Sequence, residues 1–161
     1  MELKSNKIKD FKEMVHKGMI ECFERDGYLE PILFVLLNEN TLVISIPNDF
    51  LSSQQGKQIL ASKIKEFCLL PDVLAIAMVI EAYGLKMDND DELTKEVIDG
   101  KKRVSETDGK QDIIMMIVST PEKDETKIYG VNLTEKKIIN DFGESDNFKG
   151  IFSGFFNWKR N

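Results

Sequence analysis

A chain of 161 residues, 42% apolar and 31% charged, is long enough for one domain with a proper core and too apolar to be globally disordered. Its formal charge of -6 at pH 7 argues against nucleic-acid phosphate as the main partner, because that binding draws on clustered Lys and Arg. The same charge fits a protein kept apart by self-repulsion.

Met1–Asp10 is polar and Lys-rich and lacks the apolar stretch of a signal peptide. The longest apolar runs, such as Val73–Ile80, fall short of the roughly 18 residues that a spanning helix needs, so no transmembrane segment is expected. Cys22 and Cys68 fall on the apolar faces of predicted helices and read as small core residues. Their number and spacing do not suggest a zinc site, and a reducing, cytoplasmic setting is expected.

In chain order, Ser5 or Asn6 is placed to cap a first helix that stops near Asp26-Gly27. Ile8, Phe11, Val15, Met19 and Cys22 recur at spacings of three and four and predict its packed face. Ile32–Leu37 and Leu42–Ile46, rich in branched residues and separated by Asn38-Glu39-Asn40-Thr41, read as a hairpin. The first of these strands is apolar on both sides, which predicts a central place with both faces covered. Ser52 or Ser53 caps a second helix to about Cys68, with Ile59, Leu60, Ile64 and Phe67 inward.

After Pro71-Asp72, Val73–Tyr83 reads as a long strand, its β-branched residues outweighing a helical reading. Alanines at 75, 77 and 82 alternate with larger residues and leave room for a helix to pack closely. Residues 86–110 are densely charged with both signs mixed and read as an insertion, Asp91–Ile98 being able to form a short helix. Asp112–Ser119 and Glu125–Leu133 are further strands, with Tyr129, Val131 and Leu133 on one face of the second. Ile138–Phe142 extends it or forms a short sixth. An aromatic helix at 147–158 closes the chain.

The expected architecture is therefore a single α+β domain over 1–161. It has an antiparallel sheet of about five strands with helices on its faces, in the order α-β-β-α-β-β-β-α. This order resembles roadblock and profilin-like domains, with longin domains close by; the likeness is topological and implies no functional residues. Asp26-Gly27-Tyr28-Leu29-Glu30-Pro31, the hairpin that follows, Glu81-Ala82-Tyr83 and the strand at 112–119 together resemble a pattern in small uncharacterised bacterial and phage proteins. That resemblance implies a phage or mobile-element origin and no particular chemistry.

His16, the single histidine, sits at the margin of the first helix's apolar stripe and reads as a boundary residue, since neither a triad nor a metal centre follows from one such group. Asp88-Asn89-Asp90-Asp91-Glu92 departs from EF-hand spacing and reads as solvated loop, as does Lys101-Lys102-Arg103. Isolated Gly27, Gly56 and Gly84 make no phosphate loop. No cofactor or metal is expected.

Glu81 and Tyr83 end an apolar strand two apart and point to one face, where a desolvated carboxylate can act as a general acid or base. They carry the alternative reading, a small enzyme or ligand sensor. The favoured reading is a non-catalytic binding or assembly module. It rests on Phe148, Ile151, Phe152, Phe155, Phe156 and Trp158, too many aromatics for one buried helical face and of the kind that anchor interfaces with a protein partner or a second copy.

Overall fold

The computed structural model describes residues 2–85, 110–145 and 152–160. Helix α1 (Glu2–Asp26) leads into the hairpin β1 (Ile32–Leu37) and β2 (Thr41–Ser45). A 3-10 turn at Asn48–Phe50 and helix α2 (Gln54–Cys68) follow. Four strands come next: β3 (Val73–Leu85), β4 (Lys110–Ser119), β5 (Asp124–Asn132) and β6 (Lys137–Ser145). A one-turn helix, α3 (Asn157–Arg160), ends the described chain.

The strands form one antiparallel sheet in the order β2-β1-β3-β4-β5-β6. The α+β class with an antiparallel sheet is as expected; the count is six strands, not five, because the segment from Lys137 pairs with β5 as a strand of its own. β1 is paired on both sides, by β2 and β3, but stands second from one edge; β3 and β4 hold the centre of the sheet.

Side-chain alternation sorts the core into two layers. On one face Phe11, Val15, Met19 and Phe23 of α1 pack on Ala75, Ala77 and Val79 of β3 and on Ile114, Met116 and Val118 of β4. The small side chains of Ala75 and Ala77 let α1 approach; Ala82, by strand alternation, belongs to the opposite face. On the other face Leu60, Ile64 and Cys68 of α2 cover Leu33, Val35, Ile76, Met78 and Ile117, beside Phe152, Phe155 and Phe156. A register shift pairs Leu36 with Ala75 but Leu37 with Val73, a bulge that sends both Leu74 and Ala75 toward α1.

Local chemistry sets the helix ends. α1 starts at Glu2, ahead of the expected caps. It stops at Gly27, whose φ of 78° and N–H bond to the Phe23 carbonyl (2.7 Å) make a left-handed C-terminal cap. Ser53 caps α2 by accepting from the Gly56 amide at 3.0 Å. Ile59 and Phe67, expected inward, are exposed: α2 buries one narrow ridge, Leu60, Ile64 and Cys68, against the sheet.

The largest departure from expectation is at the C-terminus. Residues 152–156 form a turn, and of the described residues 152–160 only Asn157–Arg160 are helical. Gly154 has φ 71° and gives its N–H to the Asp124 carboxylate at 2.9 Å, a geometry that interrupts any helix through this point. Phe148 and Ile151 lie outside the described residues.

Candidate binding groove

Of the aromatics expected to anchor an interface, Phe152, Phe155 and Phe156 are buried within the chain's own α2-side core. Their excess over one helical face disappears because a turn, not a helix, presents them. Trp158 remains 44% exposed, and its indole Nε1 donates to the Cys68 carbonyl at 3.1 Å.

Glu81 accepts the Leu29 amide at 2.5 Å, fastening β3 to the connection between α1 and β1. The Tyr83 side chain lies outside the described residues, as do the acidic run at 88–92 and the basic cluster at 101–103. Among the described residues no three His, Cys, Asp or Glu side chains converge as a metal-binding group, and no helix is long and apolar enough to cross a membrane.

His16 is hydrogen-bonded through Nδ1 to the Tyr129 hydroxyl at 2.8 Å, with the rings tilted at 49°. It joins α1 to β5 at the margin of the core, the boundary position that its place on the helix implied.

The groove that Trp158 borders was not foreseen. It encloses about 830 Å³ between the first turns of α1, the β4–β5 turn and the C-terminal residues. The β4–β5 turn is held rigid: the Thr120 hydroxyl accepts from the amides of Glu122 and Lys123 at 3.2 Å each, and the Thr120 amide donates to the Lys123 carbonyl at 3.0 Å. Below it the buried Asp124 carboxylate accepts from the Ser119 hydroxyl and the Gly154 amide, locking the turn to the C-terminal segment.

Apolar side chains from Ile8, Pro71, Leu74, Pro121 and Trp158 line the floor and one wall. Leu69 and Leu70, which follow Cys68 in the chain, are exposed.

The charge around the groove is one-sided. Lys4, Lys9, Lys12, Lys123 and Lys159 line it, with Glu122 the acid among the lining residues. Lys12 and Lys123 share Glu125, at 2.6 and 2.9 Å. Partial burial works to raise the Glu125 carboxyl, but the two ammonium groups outweigh it and hold the pKa below its ordinary value.

Lys159 spans the gap, donating to the Val73 carbonyl at 3.1 Å and lying 4.9 Å from the Trp158 ring centroid. Burial lowers its pKa, and the neighbouring Lys4 adds to that effect. Lys4 and Lys9 have no acidic partner among the described residues.

Cys68, beneath this surface, is inert: burial pushes its thiol up to about 12. No helical or strand periodicity could have brought these lysines together, because three distant segments supply them. No protein-family profile, characterised protein or solved structure matches this chain.

Proposed function

We propose that the chain is a non-catalytic protein-binding module whose recognition surface is this groove, and that its partner is an acidic segment carrying an apolar anchor. The observation that carries the reading is the pairing of Lys4 and Lys9, which have no acidic partner among the described residues, with the Trp158 wall in a protein of net charge -6. Such a reversal of sign within a cleft concentrates anionic partners and raises their rate of encounter. The apolar floor and the absence of arginine among the described lining residues favour a peptide over a nucleic acid, for which forked guanidinium contacts to phosphate are the usual device.

The aromatic tail keeps its role in this reading through Trp158, while its phenylalanines hold that residue in place. The alternative, chemistry at Glu81 and Tyr83, is less well supported because the Glu81 carboxylate is engaged by the Leu29 amide. A cytoplasmic adaptor of phage or mobile-element origin, as the resemblance of 26–31 and 81–83 implies, suits the reading. The free thiols of Cys22 and Cys68 suit a reducing compartment.

Trp158 is the single tryptophan, so its emission reports on the groove directly. A synthetic peptide alternating Glu and Leu is expected to shift that emission saturably, with affinity falling as salt rises. Reversing both charges, Lys4→Glu with Lys9→Glu, should abolish the shift. An unchanged response in the double variant, or tighter binding of a single-stranded oligonucleotide of equal charge, overturns the proposal.

A further inference from the structure

The two edges of the sheet are built differently. At the β6 edge the pairing with β5 shifts register twice, between Lys127 and Tyr129 and between Gly130 and Val131. The β6 sequence also carries Lys137, Asp141, Gly143 and Glu144. Bulges and charges of this kind are what proteins use to stop an open edge from pairing with another chain. The opposite edge has none of them. β2 reads Thr-Leu-Val-Ile-Ser, without charge, proline or glycine, and pairs with β1 in unbroken register from Ile32–Ser45 to Leu36–Thr41. Among the described residues no strand pairs with its outer side, yet Val43 is 63% and Leu42 39% exposed.

We propose that β2 is a self-association edge, pairing antiparallel with β2 of a second copy about a two-fold axis through Val43. The sequence of the strand selects a second copy over an unrelated strand. An isologous interface must be complementary to itself, so each residue is matched by its mirror position. About Val43 the strand is palindromic in character. Val43 meets Val43, Leu42 meets Ile44, and Thr41 meets Ser45, giving apolar pairs at the centre and hydroxyl pairs at both ends. Such β-branched and hydroxyl cross-strand pairs are favourable, and no like charges are opposed despite the charge of -6. Pro47 beyond β2 cannot donate to a ladder and limits the pairing to this short strand. Two sheets then join edge to edge, and the lysine groove, lined by other elements, is left open in both copies.

Light scattering coupled to size exclusion, over a range of concentrations, tests this on the full chain. The protein should approach twice its monomer mass as concentration rises. Val43→Lys, which opposes two ammonium groups on the axis, should remain monomeric with an unchanged circular dichroism spectrum, while Val43→Thr should keep the dimer.

Placing a thiol on the axis, Val43→Cys in a Cys22→Ser background, should give a disulfide-linked dimer on mild oxidation. The readout is independent of how Val43→Lys folds. A wild-type protein that stays monomeric throughout, a Val43→Lys variant that still dimerises, or no crosslink through position 43 overturns the inference. None of these outcomes bears on peptide binding at the groove.

Discussion

The Trp158 indole donates to the Cys68 carbonyl, so the end of the chain is held to the C-terminal end of α2. Trp158 can stay half in solvent at a fixed orientation because Phe152, Phe155 and Phe156 behind it are buried in the α2-side core. The aromatic cluster therefore has two roles, and they separate experimentally.

Phe156→Ala removes a fully buried ring and should cost about 3–5 kcal/mol, the range for large-to-small aromatic changes in cores. Chemical denaturation will read it as a lower midpoint with an unchanged slope. Trp158→Ala should cost far less, roughly 1 kcal/mol for one lost hydrogen bond and partial burial, while removing peptide binding. It follows that deleting residues 147–161 will not leave an intact core lacking only its binding surface. It should broaden or abolish cooperative unfolding, as judged by thermal melting.

Asp124 ties the β4–β5 turn to the tail through the Gly154 amide. Asp124→Asn keeps the shape but can turn an amide N–H₂ toward a group that is itself a donor. The expected loss is about 2 kcal/mol, typical of a buried hydrogen bond to a charged acceptor. Red-shifted Trp158 emission at temperatures below global unfolding should accompany it, because the loosened tail exposes the indole. A stability loss without that shift would place the effect in the sheet rather than the tail.

Thr126 makes the opposite prediction. Its hydroxyl is buried, with the residue 1% exposed, and Oγ1 has no hydrogen-bond partner among the described residues. Pairing with Ile117 turns the side chain toward the apolar α2-side layer. A buried hydroxyl left unpaired costs about 1–3 kcal/mol, and a valine of the same shape carries no such penalty. Thr126→Val should therefore leave stability unchanged or raise it by about 1 kcal/mol, measured by denaturant midpoint. A clear destabilisation would mean that the hydroxyl has a partner.

Much of the fold was legible because it rests on local rules. The stop at Gly27, a serine cap on α2, the hairpin, the interior place of β1 and the strand reading of Val73–Tyr83, which the structure extends to Leu85, each follow from turn chemistry or side-chain periodicity within one segment. The C-terminal turn was not legible. Aromatic spacing from Phe148 to Trp158 suits a helix, and only the distant Asp124 carboxylate, by taking the Gly154 amide, accounts for the break. Glu81 likewise found a partner, the Leu29 amide, that no spacing rule could name. The groove shows the same limit, since Lys4, Pro71, Lys123 and Trp158 meet only once the sheet is assembled.

The Glu125 bridge carries a pH dependence whose sign is fixed. Its carboxyl is held below the ordinary value of 4.5 in the folded protein, the ammonium groups of Lys12 and Lys123 overcoming the opposing effect of burial. A depressed folded-state pKa means that the unfolded chain binds the proton more tightly. The bridge's contribution is therefore fully present above the ordinary value and is lost as pH falls through the depressed one. The Lys12–Glu125–Lys123 cluster is partly exposed, so a contribution of about 1 kcal/mol is expected at neutral pH. Glu125→Gln should show that deficit at pH 7, and the gap to wild type should close as pH is lowered through and below about 4.5. Both proteins measured by urea unfolding across that range provide the check. A gap that persists in acid would mean the carboxylate's charge is not what binds α1 to β5.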